Sequence, residues 1–502
     1  MSNFFTGYSI RTKQELIKRQ VTNVAAITFF SQFASYAINS IFILFLTLPM
    51  IKNGLGMTEA QAYEFMGVTQ AVGYIMPFIG GYIIDKYLGL RRGITVGVSL
   101  LVVAYGLVYL GSSYVHIFGN KAFIAAYALI PAINSFVMAP SSALVSRIYK
   151  GDEVGSKSGM TLYYMSINIG SLIGIGVAPM LMNSQFGVMS VLAIVVIGKA
   201  LSALNFIAKY KLYENIIDDM DTQPMTLGRL FPVLTFLSVG YLLSFIAYLN
   251  PSISTYLIGA GCVSGIFIFC VRTLLLKGAD RTKQLVAAFL ILVAVVFFVL
   301  YNQMATTMVL FIKNNTDFKL FGIKLAAAQF QMINPLVIIL IGSALPRFYR
   351  AFKRFTIPYQ FSVGVILAGL SMITLWAGAI DADHHGITSA NYVGLAYFII
   401  TIAELFVSAV GLSMIGLFCH SSMITFAMGA WYLAASMSNL ISGQLGKLVA
   451  LPRIDVDPFN ALHSYSSYFS EIGIVGVAAG LLLCIVMYFL QRSLNRRGIA
   501  IS

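Results

Sequence analysis

Charge is scarce in this sequence. Only 10% of its 502 residues are Asp, Glu, Lys or Arg, against about 25% in a soluble globular domain. Cysteine is sparse too. The four present, Cys262, Cys270, Cys419 and Cys484, fall in or at the ends of apolar runs. They show no paired metal-ligand spacing, which leaves small core hydrophobes rather than a zinc site or disulfide framework. The five histidines are scattered; His384 and His385 are adjacent and could hold a metal, but a solvated loop fits them better. Nucleophile–base pairs and phosphate-binding glycine loops are missing at useful spacing, and no large soluble domain exists to sense or signal. An enzyme is not expected, and neither is a cofactor. The opening MSNFFTGYSIRTKQELIKRQ is polar and basic, without a short apolar core before a cleavage site, so no cleaved signal peptide is expected.

Apolar residues fill the space that charge leaves. They make up 59% of the chain, and the mean hydropathy is +0.85. Runs of about 20 apolar residues, enough to cross a bilayer core of about 30 Å, recur throughout. The pattern predicts an all-α polytopic membrane protein with spans near 22–50, 60–84, 94–114, 122–146, 157–182, 187–208, 230–248, 253–276, 284–311, 325–345, 357–379, 391–418, 422–446 and 466–490. A polar stretch, KYKLYENIIDDMDTQPMTLGR, interrupts the series after the sixth.

Basic residues set the sidedness. Lys13, Lys18 and Arg19 precede the first span; Lys86, Arg91 and Arg92 follow the second; Arg147, Lys150 and Lys157 follow the fourth. Alternate loops continue with Lys209 and Lys211, then Lys277, Arg281 and Lys283, then Arg347, Arg350, Lys353 and Arg354, and Arg492, Arg496 and Arg497 close the chain. Intervening loops carry fewer, such as Lys121 and Lys447, with a modest cluster at Lys313, Lys319 and Lys324. The positive-inside rule then puts both termini in the cytoplasm. The net charge of +14 describes cytoplasmic loops, not a nucleic-acid footprint.

A weak repeat links MPFIGGYIIDKYLGLRR to NPLVIILIGSALPRFYR, each a proline, apolar residues, a glycine and a basic turn. With 230–276 read as an inserted pair, these become equivalent positions in two six-helix halves, the layout of major facilitator transporters. The expected domains are an N-terminal six-helix bundle (1–210), a cytoplasmic linker with the inserted pair (211–283) and a C-terminal six-helix bundle (284–502).

Several motifs carry a family resemblance. GGYIIDKYLGLRR, Gly80 to Arg92, resembles the major facilitator signature between the second and third helices, where Asp85 can pair with Arg91 and Arg92 to hold one conformation shut. YYMSINIGSLIG (Tyr163 to Gly174), ELFVSAVGLSM (Glu404 to Met414, with Ala409 for the usual proline), MGAWYLAASMSNLISG (Met428 to Gly443) and AAAQFQMINPL around Asn334 and Pro335 resemble the proton-dependent oligopeptide transporters. The likeness covers roughly 22–490. It implies a major facilitator fold of fourteen spans and a secondary transporter in a bacterial inner membrane, working as a monomer by alternating access on a peptide-like solute, with protons as possible partners and the coupling to them altered or weakened.

The departures are as informative. The first helix of that family normally carries E-x-x-E-R-F-x-Y-Y; here TFFSQFASY puts Thr28 and Ser31 in place of the acids, Gln32 for the arginine and Ser35 for a tyrosine. Met138 stands where the family has a lysine, Phe298 where it has a tryptophan and Asn302 where it has an acid. Every change removes charge or leaves a residue of moderate size, as expected when losing one member of a buried network favours losing its partners.

Glu404 survives, alone near the middle of NYVGLAYFIITIAELFVSAVGLSMIGLF. An acid there should face a cavity or a partner. The resemblance implies that it binds the substrate amino terminus, with Asn168 and Asn334 adding neutral hydrogen bonds, and it is the candidate proton carrier. The alternative is a structural acid hydrogen-bonded to a neighbouring helix. Gln32, Ser35, Tyr36, Tyr74, Asn302, Phe298 and Trp431 complete the candidate substrate site. Lys199, in VVIGKALSAL, could pair with a carboxylate, but snorkelling to the cytoplasmic end is the expectation. Gly, Ala and Ser in spans five and eleven read as close-packing surfaces. Di- and tripeptides are the default cargo; the alternative is a diverged transporter or exporter of another metabolite, such as a siderophore or peptide-like secondary product.

Overall fold

The computed structural model describes residues 2–216, 219–342, 344–352, 355–451 and 457–496. Lys353, Arg354 and Arg497, used above for sidedness, lie outside the described residues. Leaving aside turns and the short helical pieces, Lys121–Tyr127 and Thr307–Asn315 among them, the helices used below are α1 (Ser2–Thr47), α2 (Glu59–Ile83), α3 (Leu90–Ser113), α4 (Ile130–Ile148), α5 (Glu153–Met182), α6 (Gly187–Ala208), α7 (Leu227–Leu249) and α8 (Pro251–Leu274). They continue as α9 (Gly278–Tyr301), α10 (Ile333–Ile341), α11 (Ile357–Ile380), α12 (Ala390–Phe418), α13 (Ile424–Leu448) and α14 (Pro458–Arg496).

Hydropathy and length decide most of this. Among the described residues, 13 helices are long and apolar enough to cross a membrane, and each overlaps one predicted span. The span expected at 325–345 differs. It is a 3-10 turn, Ala327–Met332, followed by the nine-residue α10. Pro335 supplies no N–H, so it suits the first turn of a helix and resists a position further in. Local chemistry sets other starts. Asp152 caps α5 by accepting from Gly155 N at 2.9 Å, and prolines 251 and 358 lie in the first turns of α8 and α11. Between α9 and α10 the only paired strands among the described residues, Lys319–Leu320 and Ile323–Lys324, form a short antiparallel hairpin.

The chain divides into two compact units. The first comprises Met1–Ile41, Pro49–Leu55 and Met76–Leu249; the second comprises Phe42–Leu48, Gly56–Ile75 and Asn250–Ser502. Helices α1 and α2 therefore each contribute to both, and the inserted pair is shared out, α7 to the first and α8 to the second. In the first unit, α7 packs on α4 through Phe136 and Phe236, stacked with centroids 5.7 Å apart. The expected close-packing face of span five is present: a Cβ on Gly174 would run into the carbonyl oxygen of Phe33 in α1. In the second unit, α8 meets α13 where Cys262 and Ser436 approach to 3.5 Å. All four cysteines are free. Cys419, just past the end of α12, is buried, and desolvation pushes its thiol up to about 12.

Candidate functional site

Glu404 lies midway along α12 and is half-buried. Asn334, in the first turn of α10, donates its Nδ2 to Glu404 Oε2 at 2.6 Å and reaches Thr401 Oγ1 at 3.3 Å. Thr401 is one turn earlier on α12, so one amide fixes the carboxylate and its helix face together. Tyr301, the last residue of α9, hydrogen-bonds Glu404 as well. Tyr74 from α2 is close enough to feel the carboxylate's charge, and it is 39% exposed. Among the described residues no Lys, Arg or His forms an ion pair with Glu404. A structural acid would also bond a neighbouring helix. What separates Glu404 from one is that all its partners are neutral while part of it remains accessible. That arrangement orients a carboxylate toward a cation that the protein does not itself provide.

The other candidates divide between the two units. Asn302 reaches Ser438 Oγ on α13 at 3.5 Å. Phe298 and Trp431 meet edge-to-face at 5.7 Å and are 8% and 5% exposed, so they belong to the packed interior of the second unit. In the first unit, Asn168 donates to the carbonyl of Tyr164 on its own helix at 2.9 Å and is also buried. Tyr36 is 39% exposed, and Gln32 and Ser35 are half-buried on the same stretch of α1.

Lys199 does not snorkel. It is 2% exposed, and its Nζ donates to Ser31 O at 2.9 Å, Ser31 Oγ at 3.0 Å and Ser35 Oγ at 2.8 Å. The ring of Tyr105 in α3 lies 5.3 Å from Nζ. The side chain points across to α1 because three acceptors there satisfy its three N–H donors, a better solution than reaching past the helix end. Ser31 and Ser35 are residues where α1 departs from the family motif. The loss of charge from α1 is thus only half the account: α6 brings a cation to the same spot.

Glu64 is a second constellation that the sequence reading missed. One oxygen accepts from Gln444 and Lys447 on α13, each at 3.1 Å, and the other from Ser252 on α8 at 2.8 Å. Nearby, Glu59 accepts from Leu451 N at 2.9 Å. Below this lock α2 and α13 cross at backbone contact: a Cβ on Gly67 would sit 2.9 Å from Asn439 O, and one on Gly443 2.7 Å from Tyr63 O. The signals were an acid inside the second span and a lysine in an otherwise sparsely charged loop.

The Gly80–Arg92 loop has a partner that the sequence did not point to. Arg91 and Arg92 are engaged by Asp221 in the linker after α6. Asp221 takes the backbone N–H groups of both arginines at 3.1 Å, its carboxylate lies 3.7 Å from Arg91 Nε, and Arg92 donates to the carbonyls of Met220 and Gln223. The first turn of α3 has free N–H groups, and Asp221 caps them from another segment. Asp221→Ala should lower stability by about 1–3 kcal/mol, read as a reduced melting temperature in detergent. An unchanged melting curve would rule the clamp out.

Comparison with known proteins follows the same lines. The model of the POT family (PTR2) matches residues 94–463. The chain is 30% identical over 476 residues to the dipeptide and tripeptide permease A of Chromobacterium violaceum, covering 94% of each protein. It is 32% identical over 466 residues to the permease of the same name from Klebsiella pneumoniae, covering 92% of this chain and 90% of that one. Among solved structures, tetrameric PepTSo2 superposes with a TM-score of 0.82 at 25% identity, over 95% of this chain and 99% of that one. The peptide transporter POT in complex with sulfate superposes with a TM-score of 0.81, over 96% and 99%, and at 22% identity this likeness speaks for the fold alone. Multi-pass membrane architecture, the major facilitator arrangement of helices and the ordered motifs around Asn168, Asn334, Glu404 and Trp431 agree: the chain belongs to the POT family of transporters.

Proposed function

We propose that the protein moves di- and tripeptides, or similar amine-bearing solutes, across a bacterial inner membrane by alternating access. The observation that carries this reading is Glu404: a half-buried carboxylate held by Asn334 and Tyr301 with no cation beside it among the described residues. An ammonium is the ligand whose arrival completes it. The printed names of the relatives, dipeptide and tripeptide permeases, support a peptide as its bearer. In this reading Tyr74 and Asn302 of the second unit supply neutral contacts, and both termini are cytoplasmic as the basic loops suggest. One chain suffices for the cycle, although a tetramer is known for PepTSo2.

Counterflow of labelled di- and tripeptides in proteoliposomes tests the proposal. Saturable exchange competed by other short peptides supports it. Absence of exchange for every peptide tried would overturn it in favour of a different metabolite.

A further inference from the structure

We propose that Lys199 is the proton-carrying group of the first unit, cycling between ammonium and amine during transport. The inference rests on the transport reading above but not on the role of Glu404. Its basis is the construction of the cage. Three N–H donors of an ammonium meet three acceptors: Ser31 O, Ser31 Oγ and Ser35 Oγ. A backbone carbonyl only accepts, whereas a hydroxyl can turn and donate. When the proton leaves, the amine still donates to Ser31 O and to one hydroxyl, and the other hydroxyl rotates to donate to the nitrogen lone pair. One set of atoms therefore satisfies both protonation states with no side chain moving. A lysine kept as a permanent cation would instead be expected to face a carboxylate, because an uncompensated charge in a low-dielectric interior is costly.

The surroundings carry no such partner. From α1 come hydroxyls and a carbonyl. From α3 comes Tyr105, whose ring faces Nζ and whose hydroxyl bonds Ser35. On α6 itself, Ser202 donates to Ile27 O. In the 3-10 turn that follows α6, Tyr213 donates to Asn23 and is likewise without charge. No carboxylate pairs with Lys199 from any packed helix, α5 included, among the described residues.

There is also a way out. Ser31 is buried, but Ser35 is half-buried and its neighbour Tyr36 is exposed. The proton balance is simple: the ammonium gives a proton to Ser35 Oγ, Ser35 passes its own proton to water on the exposed side, and Lys199 is left neutral. Reversal reloads it.

The test is reconstitution of the full chain with Lys199→Gln and Lys199→Arg, reading peptide exchange at equal pH together with gradient-driven accumulation and internal acidification. Glutamine fixes the site neutral and arginine fixes it charged, so a defect shared by both cannot come from the charge itself. The expected result is exchange near the wild-type rate in at least one variant. In both, accumulation should fall to the equilibrium ratio and acidification coupled to uptake should disappear. Accumulation on the gradient by either variant, at wild-type level, would overturn the proposal. So would a wild-type protein that exchanges peptides without moving protons, an outcome that leaves the peptide reading standing. Wild-type exchange measured without a gradient tests the peptide reading separately.

Discussion

Glu404→Gln abolishes uptake of amine-bearing substrates and leaves the protein folded in the membrane. The substitution is nearly isosteric, and the amide can turn its oxygen toward Asn334 Nδ2, so the 2.6 Å hydrogen bond that joins α10 to α12 has a replacement. What disappears is the negative charge. A hydrogen bond to a charged group is worth about 1.5–3 kcal/mol, and each 1.4 kcal/mol is about tenfold in affinity. Binding should weaken by roughly ten- to a hundredfold, enough to remove transport at ordinary substrate levels. Size-exclusion profile and melting temperature should match the wild type. Retained wild-type uptake would sink the amine-recognition role, and a competitor lacking an amine should distinguish the variant little from the wild type.

The second large effect is expected at Gly443. Leucine there must fit where a Cβ already lies 2.7 Å from Tyr63 O, so α2 and α13 have to separate. Their crossing positions Glu64 against Gln444 and Lys447, one and four residues further along α13, and against Ser252 on α8. Overpacking costs about 1–3 kcal/mol, borne by the arrangement in which these helices touch. Alternating access depends on reaching that arrangement in each cycle, so transport should fall at least about tenfold, while expression and insertion persist. Glu64→Gln is the milder companion. It keeps an acceptor for Ser252 and loses the ion pair with Lys447, and a few-fold loss is expected. Normal turnover in Gly443→Leu would show that the contact is not used in the cycle.

Most of the fold was legible in the sequence because the bilayer imposes one strong rule, long apolar helices, and hydropathy reports it directly. The shortened α10 was legible in part: Asn334–Pro335 was visible, but its consequence was hidden inside an apolar run. Glu404 and Asn334 could be chosen as candidates, yet only the structure places them within hydrogen-bonding distance across 70 positions of chain. The misreadings share one cause, the choice of partner over long sequence distance. Lys199 had a lipid-facing solution on its own helix and a better one on α1, 168 residues earlier. Arg91 and Arg92 likewise meet a partner far along the chain, Asp221, which reaches the open N–H groups of α3. Asn168 illustrates the reverse, a buried amide satisfied within its own helix by Tyr164.

The cage around Lys199 has a consequence for how the chain is made. Entering a bilayer alone, α6 would carry a lysine whose insertion costs about 2.5–3.5 kcal/mol near the helix centre. Its remedy, Ser31 and Ser35, is synthesised more than 160 residues earlier. In the folded unit that cost is offset by α1, which alone supplies all three acceptors of the amine. A chain lacking α1 would leave that amine without any of the three acceptors, so the first helix is a condition for burying the sixth.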